Sequence, residues 1–600
     1  MNKANSQYIK ATNYNFSEAI GTDPELMQRS TFMRNNAYAT GFNAGLCIPI
    51  YIEEILPNDT VEMNVNMALR MQTLATVPYD NLDLDLYWFY APNRILWDGW
   101  KQFCGESKSA WLDKTPLRVP VLKSSGFANP DDGIGTVWDY FGLPLIKETT
   151  DKSKRIAINR LPFNMYAKVW NDWFRDTNYQ EEALIDYGNT DVTYDATDPA
   201  KGGKPLSANK YHDYFTTCLP SPQRAETVSL LDGIRNSVLP VRAVGTELEG
   251  DDELGILWGL YNKNNEQNFL PDAWKWYDMT YQADNSGLLH QYYNKATGTN
   301  TAPTDKATMT PANLGVDIRG ADYNSNKSFV DAFNLVGLRK SIAKQHIAEV
   351  SARCGNRYEN FLLGFFGVSA PDIETGRTEL LGINHMTLNI NEVVQTSATQ
   401  EGSTPQGNIS GRSLTNMDNP HAFTKSFVEH GWLMCIAVAR YNHSYSQGIE
   451  KKWTRYKLED YYMPEYANMG DVPVYLSEIY ATNGNAQNPD NKTGSDGLNP
   501  QEEIWGYQEY GAEYKYAPNK VTGSLRPDIE GGLSPWTWCD NYDSVPTNGA
   551  DWIKEDANNI NRSLSIQPTA KVPQLFGNFY FSNKHTRMMP VHSVPGLERI

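Results

Sequence analysis

Near its N-terminal end the chain repeats one pattern three times: an apolar residue at every second position. The runs cover residues 46–52, 61–69 and 82–90. Because successive side chains of a β-strand point to opposite faces, each run predicts a strand with one face in a core. Polar turns at 57–59 and 78–81 separate the runs. Three strands in sequence with short turns between them favour an antiparallel sheet.

Further strands are predicted later in the chain, at 238–244, 385–394, 432–441 and 575–581. The run 432–441, WLMCIAVARY, is apolar almost throughout, which is typical of a strand buried on both faces. Strands at both ends of the sequence, separated by helices and long polar stretches, predict one β-core closed by N- and C-terminal segments.

Two helices interrupt the strand pattern. The first begins at Pro162, a residue favoured in a first helical turn. Its apolar side is Phe163, Ala167, Trp170 and Phe174, and its polar side is Asn164, Lys168 and Asp172. The second is predicted to begin at Ser328, with Asp331 as a capping partner, and to end before Gly355. Its apolar side is Leu335, Leu338, Ile342, Ile347 and Val350.

The composition limits the function. The 600 residues carry a net charge of −18, which argues against general nucleic-acid binding, since phosphate neutralisation needs Lys and Arg. Six scattered cysteines fit neither a disulfide framework nor a zinc site and predict free, mostly buried thiols. With no signal-peptide pattern and no membrane-length apolar run, we expect a protein made in a cytoplasm, without membrane insertion.

No motif for an enzyme, a cofactor or a metal is present. Asp83 and Asp85 lie two apart on one strand and could pair or hold a cation, but a solvated or interface strand face is the preferred interpretation. Asp251, Asp252 and Glu253 have the oxygen character of a calcium site without its loop spacing, so an exposed acidic loop is expected. We therefore predict no catalytic residues, no cofactor and no metal.

Basic residues near both ends are candidates for facing nucleic acid. They are Lys3, Lys10, Arg29, Arg34, Lys584 and Arg587. Aromatic residues stand among them, a combination that can hold single strands. An ordinary mixed-charge tail is the alternative.

Several longer segments, in order along the chain, resemble the major capsid proteins of microviruses, the gokushovirus-type small single-stranded-DNA bacteriophages. These segments are RSTFMRNNAYATGFNAGLCIPIYIEEILPNDT at 29–60, DLYWFYAPNRILWDGWKQFCGE at 85–106, LPFNMYAKVWNDWFRDTN at 161–178, GNRYENFLLGFFGVSAPD at 355–372, WGYQEYGAEYKYAPNKVTGSLRP at 505–527 and MPVHSVPGLE at 589–598. The resemblance lapses at 181–210, 245–327, 481–502 and 540–570.

The resemblance implies a mainly β, eight-stranded viral jelly roll with large loop and helical insertions. It further implies a homo-60-mer, a T=1 icosahedral virion shell around a circular single-stranded DNA genome, assembled in the cytoplasm of a bacterial host. Expected partners are an internal scaffolding protein, a DNA-pilot protein, a small basic DNA-binding protein and a host-cell surface receptor. The basic partner agrees with the acidic charge of this chain.

The expected organisation is an N-terminal arm (1–40), a first jelly-roll part with helical insertions (41–244), a surface insertion (245–327), and a second jelly-roll part with the C-terminal tail (328–600). The insertion has a possible apolar core of Leu254, Ile256, Leu257, Trp258, Trp274 and Trp276. The resemblance implies a protrusion at the threefold axis, used in host attachment. A surface loop that covers a neighbouring subunit is the alternative.

A second hypothesis is a glycan-binding or glycan-cleaving β-protein. Sixteen tryptophans and thirty-five tyrosines could build a sugar-binding surface. Packing in the core and between subunits is the preferred interpretation of most of these rings.

Overall fold

The computed structural model describes residues 29–106, 117–151, 154–224, 242–245, 292–294, 299–301, 314–317, 335–394, 409–417, 420–481, 503–569 and 571–592. Their contacts define two compact units. The second unit comprises residues 223–353, and the first comprises the rest of the chain. The predicted insertion 245–327 lies within the second unit, and most of it is outside the described residues.

Strands dominate the described chain. They are β1 (Ser30–Met33), β2 (Asn36–Phe42), β3 (Ile48–Ile55), β4 (Thr60–Met71), β5 (Leu82–Pro92), β6 (Val121–Ser124), β7 (Ile156–Asn159), β8 (Val192–Thr193), β9 (Arg242–Gly245), β10 (Tyr292–Asn294), β11 (Thr299–Thr301), β12 (Leu314–Asp317), β13 (Glu379–Leu388), β14 (Ile390–Val394), β15 (Ile409–Ser413), β16 (Thr415–Met417), β17 (His421–Ser426), β18 (Gly431–Tyr441), β19 (Ser444–Tyr445), β20 (Asp471–Tyr475), β21 (Ile504–Glu509), β22 (Asn519–Lys520) and β23 (Leu575–Arg587).

Helices connect these strands. The α-helices are Asn93–Leu96, Trp100–Phe103, Val137–Tyr140, Leu161–Val169, Leu335–Cys354, Tyr358–Phe361, Asp372–Thr375, Ala512–Lys515 and Asn558–Asn561, and π-helical turns occur at Trp170–Phe174 and Leu362–Phe366. Short 3-10 turns occur at Pro130–Gly133, Pro199–Lys201, Lys451–Trp453, Leu458–Asp460, Pro464–Tyr466, Leu476–Glu478, Gly523–Leu525 and Ser534–Trp536.

Two large antiparallel sheets form the centre of the first unit. The first sheet has six strands in the order β1-β23-β4-β16, with β17 also paired to β4 and β2 to β23. The second sheet has four strands in the order β13-β5-β18-β3. A mainly β chain with several antiparallel sheets is therefore confirmed. No closed barrel forms in the described part of the chain, and the eight-stranded jelly-roll order stays a prediction.

The three alternating runs become β3, β4 and β5, as predicted, but they do not pair with one another. β3 and β5 both pair with β18 in the second sheet, whereas β4 pairs with β23 in the first. The expected single sheet is therefore wrong, because the chain crosses between sheets at each turn. The alternation fixes which face of a strand is buried but says nothing about its partner.

The inner faces of the two sheets pack against each other and form the sandwich interior. Every second residue of β4 from Val61 to Met71 is buried, and the residues between them are not. The ring of Phe581 lies 4.8 Å from that of Tyr51 and 5.9 Å from that of Trp88. Each fully buried side chain of this size stabilises the fold by about 1.5–3 kcal/mol.

A second apolar layer covers the outer face of the second sheet. Met434, Ile436 and Val438 of β18 pack there with the helix Leu161–Val169, while the alternate residues of β18 face the sandwich interior. β18 is therefore buried on both faces, which confirms the prediction for 432–441.

The helix predicted at Pro162 is present as Leu161–Val169 and continues as the π-helical turn Trp170–Phe174. Its expected polar side is wrong at Asn164, which is buried. The Asn164 side-chain amide donates to the carbonyls of Leu96 and Asp186, at 3.0 and 3.1 Å. Chain segments on both sides cover the helix, so a polar residue there must bind backbone groups.

The second predicted helix is present as Leu335–Cys354. Its predicted start, Ser328 to Asp331, lies outside the described residues. Gly355 follows it with φ 92°, which confirms the expected left-handed end. Ile342 and Ile347 on the predicted apolar side are exposed. The five-residue step between them breaks the three-and-four spacing, so they do not share one helix face.

The later strand predictions at 385–394, 432–441 and 575–581 are largely confirmed, whereas of the run 238–244 only residues 242–244, in β9, lie among the described residues. The run 385–394 is divided at Asn389, because β13 pairs with β5 whereas β14 pairs with β15. The run 575–581 is the first half of the longer β23. Strands β1 and β2 pair with β23, so the end of the predicted N-terminal arm belongs to the first sheet.

Candidate functional site

Four of the basic residues predicted to face nucleic acid lie together at the edge of the first sheet. β1 pairs with β23 along its whole length, which places Lys584 and Arg587 beside it. Arg29 and Arg34 flank β1 at its two ends. The pairing of β1 with β23 therefore brings together cations that stand more than five hundred residues apart in sequence.

Each of these cations already has partners within the chain. Arg34 pairs with Glu53, Arg587 Nε lies 2.9 Å from Asp59 Oδ2, Lys584 Nζ lies 3.8 Å from Glu62 Oε2, and Arg29 donates to the Asn58 carbonyl at 2.9 Å and to Thr60 Oγ1 at 2.7 Å. These contacts tie β1 and β23 to β3, to β4 and to the turn between them. A phosphate would have to share these cations with carboxylates, and the DNA-facing role stays a prediction.

His585 lies beside this group and is fully buried. Neither of its ring nitrogens has a hydrogen-bond partner among the described residues. Burial, together with the positive charges of Arg587 and Arg34, lowers the pKa of His585 to about 4. The imidazole is therefore neutral at neutral pH and cannot add to the cationic group.

Asp85 lies at the centre of a polar network on the outer face of the second sheet. Its carboxylate is 2.7 Å from His385 Nδ1 and 2.9 Å from both Arg440 Nη2 and the Tyr211 hydroxyl. Burial favours a higher pKa, but the hydrogen bonds from His385, Arg440 and Tyr211 outweigh it and lower the pKa of Asp85. The expected solvated face is therefore wrong for Asp85, which is buried.

Asp83 lies beside the same histidine as Asp85, with its Oδ1 3.8 Å from His385 Nε2. Its carboxylate accepts a hydrogen bond from Thr387 at 2.6 Å, on the neighbouring strand β13. Both acids are thus bound by side chains across the sheet. Within the described ranges, no group of three or more His, Cys, Asp or Glu residues could hold a metal ion.

A second charged group lies at the C-terminal end of β18, and we call it the charged cluster. It consists of Lys210, His443, Asp540 and Glu555, whose side chains are at most 3% exposed. His443 bridges the two acids, with Nδ1 2.7 Å from Asp540 and Nε2 3.0 Å from Glu555. Lys210 Nζ lies 3.2 Å from the second oxygen of Asp540.

The partners in the charged cluster decide its protonation. Burial favours neutral His443, but Asp540 and Glu555 outweigh it and raise the pKa of His443 to about 9. Burial likewise opposes the charge of Asp540, yet His443 and Lys210 hold the pKa of this carboxyl well below its usual range. Two positive and two negative groups therefore balance one another inside the protein.

Sequence reasoning missed the charged cluster entirely. Its four members stand far apart along the chain and follow no motif spacing. Each is brought in by a different segment, and only His443 adjoins a predicted strand. No signal in the sequence identifies them as partners.

Two exposed surfaces are rich in apolar side chains. The 358–368 segment, YENFLLGFFGV, exposes Tyr358, Phe361, Leu363, Phe366 and Val368. The second, which we call the tyrosine surface, comprises residues 450–469 and 509–516. It exposes Trp453, Tyr456, Leu458, Tyr461, Tyr462, Tyr466, Met469, Tyr514 and Tyr516. Apolar surfaces of this size mark contacts with other molecules.

Other sequence candidates lie outside the described residues. They are Lys3, Lys10, the acidic residues Asp251, Asp252 and Glu253, and the predicted protrusion core Leu254, Ile256, Leu257, Trp258, Trp274 and Trp276. The cysteines are free, and Cys47, Cys218, Cys435 and Cys539 are buried, as predicted. No helix in the described ranges has both the length and the apolar character needed to cross a membrane.

Comparison with known proteins gives consistent matches. A family model described as "Capsid protein (F protein)" of phages matches residues 23–597. The chain is 34% identical to "Capsid protein VP1" of Spiroplasma virus 4 over 93% of each chain. It is 32% identical to "Capsid protein VP1" of Chlamydia phage 1 over 96% of each chain. It is 30% identical to "Capsid protein VP1" of Bdellovibrio phage phiMH2K, over 94% of this chain and 95% of that protein.

Proposed function

This chain belongs to the phage capsid protein (F protein) family, and from that membership we propose that sixty copies assemble into a T=1 icosahedral shell around a circular single-stranded DNA genome. The resemblance to gokushovirus-type capsid proteins is confirmed. The family and its relatives are structural capsid proteins rather than enzymes, which removes the glycan-cleaving alternative. A capsid role implies self-assembly and a place in the virion.

The single observation that carries the proposal is the family match over residues 23–597. Two features of the described chain support it. Apolar side chains are exposed on the 358–368 segment and on the tyrosine surface, as subunits of a shell require. The antiparallel sandwich supplies a rigid body from which such surfaces can be presented.

We extend the proposal to partners. The net charge of −18 leaves packaged phosphate to be neutralised elsewhere. We propose that a small basic DNA-binding protein supplies that charge, and that an internal scaffolding protein and a DNA-pilot protein take part in assembly in the host cytoplasm. Residues 245–327 are proposed to form a threefold protrusion that contacts a host-cell surface receptor.

The assembly proposal is tested by the mass of the particle. The chain is co-expressed with its phage partners, and the purified product is measured by light scattering and imaged by negative stain. Sixty copies of 67.8 kDa give about 4 MDa of coat. A homogeneous monomer or dimer under all assembly conditions would overturn the shell.

The DNA-facing and attachment proposals have separate tests. Lys3→Glu with Lys10→Glu should reduce packaged DNA while leaving empty shells. Lys571→Glu, at an exposed cation that pairs with Asp131, is the control. Deletion of 250–322 with a Gly/Ser bridge should give particles that assemble but adsorb poorly to host cells. Normal DNA content in the first case, or normal adsorption in the second, contradicts the respective role.

A further inference from the structure

We propose that the tyrosine surface, residues 450–469 and 509–516, is a contact between two copies of this chain in the shell. The inference rests on the proposed self-assembly and specifies where one of its interfaces lies. It follows from the apolar area, the prior ordering of the rings and the charge pairing at this surface.

The apolar area is sufficient for an interface. Nine large side chains of this surface are between 42% and 72% exposed. At about 200 Å² for each large side chain, their exposed parts amount to roughly 1000 Å². A standard interface buries about 800 Å² on each partner. The tyrosine surface alone therefore reaches the size that a stable contact between two proteins needs.

The rings of this surface are held in place before any partner binds. Tyr462 stacks on Tyr510 at 5.2 Å, and Tyr466 meets Tyr510 edge-on at 6.2 Å. The Arg455 guanidinium lies 4.5 Å from the Tyr514 ring and forms an ion pair with Glu513 at 3.1 Å. Rings that are already ordered lose little conformational freedom on binding, which favours affinity.

The charges of this surface favour another copy of the chain. Three of its five cations are paired with carboxylates of the same surface, as Arg455 is with Glu513 at 3.1 Å and Lys515 with Glu509 at 2.8 Å. Lys452 likewise pairs with Glu450 at 2.5 Å. A second copy can therefore cover these three pairs without leaving any of their charges unpaired. Nucleic acid is disfavoured, since phosphate would have to displace these carboxylates.

Photo-crosslinking tests the contact directly. A photo-crosslinking amino acid replaces Tyr461, and assembled particles are irradiated. A covalent product of two chains is expected from particles and not from the unassembled chain, with crosslinked peptides that join position 461 to a second copy. A crosslink within one chain, to DNA or to another protein, overturns the inference, as does the absence of any crosslink in intact shells.

Substitution gives a second readout. Trp453→Ser with Tyr461→Ser should leave the melting temperature of the unassembled chain unchanged and reduce particle yield at least tenfold. Tyr79→Ser, at an exposed ring outside this surface, is the matched control. Normal yield from the double variant overturns the inference while the shell proposal stands. If the native chain forms no shell, the shell proposal and this inference both fail.

Discussion

The sandwich interior and the charged cluster lie side by side and are both buried, yet different forces hold them. Tyr441 belongs to both regions, with its ring in the apolar core and its hydroxyl bound to Asn559, which also binds Asp540. The sandwich gains stability from apolar area, which has no direction and no charge. The charged cluster is stable only while each ion keeps its partner, because burying an unpaired charge is costly.

Because of this difference, the sandwich interior and the charged cluster contribute to the folded state in different ways. The sandwich supplies most of the stability and tolerates changes of pH. The charged cluster adds little net stability, since pairing mainly offsets the cost of burial. It instead fixes the positions of Asp540 and Glu555, which lie in loops outside the strands and helices. It also makes part of the free energy of unfolding depend on the protonation of its side chains. Four predictions test this contrast on the unassembled chain.

The largest effect is expected in the sandwich interior. Trp88→Ala should lower the free energy of unfolding by about 3–5 kcal/mol, because it leaves a cavity between the sheets. It also leaves Asn384 without the indole donor now at 2.9 Å. Trp453→Ala, at a tryptophan that is 69% exposed, is the control and should change the value by no more than about 0.5 kcal/mol. Urea unfolding at pH 7 measures the free energy of unfolding of both variants. Equal losses in Trp88→Ala and Trp453→Ala would contradict an apolar origin of the stability of the sandwich.

Removal of one charge from the charged cluster is expected to cost somewhat less. Asp540→Asn should lower the free energy of unfolding by about 3 kcal/mol, because buried Lys210 then loses its carboxylate partner and His443 keeps only Glu555. Asp551→Asn is the control, since that exposed acid pairs only with Lys554 among the described residues, and it should leave unfolding unchanged. If the two variants behave alike, the buried ion pairs do not constrain the fold.

Alkaline pH should reduce the contribution of the charged cluster to the free energy of unfolding and leave that of the sandwich unchanged. The folded-state pKa of His443 is about 9, above its ordinary 6.5. Its contribution is therefore complete below pH 6.5 and is lost as the pH rises through 9, a loss of roughly 2 kcal/mol between pH 7 and 9.5. In His443→Gln this alkaline loss should disappear, while Trp88→Ala keeps it. Denaturant titrations at several pH values measure the free energy of unfolding. If this free energy falls as steeply with pH in His443→Gln as in the native chain, His443 is not the source of the alkaline loss.

The smallest effect has the opposite sign and comes from the other buried histidine. The pKa of His585 is lowered to about 4 from 6.5. The unfolded chain thus binds the proton more readily, and stability is lost as the pH falls from 6.5 towards 4. His585→Phe should reduce the acid-induced loss between pH 7 and 5 by roughly 1.8 kcal/mol. An identical acid profile in the variant would show that His585 is not buried in a cationic environment.

The two histidines show why the candidate sites were only partly predictable. His443 and His585 both follow predicted strands, and the local sequence places the cations Lys584 and Arg587 beside His585 but no acidic residue beside His443. His443 pairs with Asp540 and Glu555, whereas His585 lies near Arg34 and Arg587. Asp540, Glu555 and Arg34 are distant in sequence from the histidines they contact, so these contacts depend on the path of the whole chain.

The local structure and the family follow from the amino-acid sequence alone. Alternation in 61–69 required a strand with one buried face, continuous apolar character in 432–441 required burial on both, and Pro162 and Gly355 marked helix boundaries. These signals are local, because strand and helix periods fix the direction of each side chain. The ordered matches along the chain identified a capsid protein.

Which elements contact one another depends on how the whole chain packs. This packing separated β3, β4 and β5 into two sheets, paired β1 and β2 with β23, and buried Asp85 beside Arg440. It also left the rings of the tyrosine surface exposed, although their residue types suit a core equally well. The reason is physical: hydrophobic burial is non-directional and specifies a face rather than a partner, whereas pairing and charge compensation are settled when distant segments pack together.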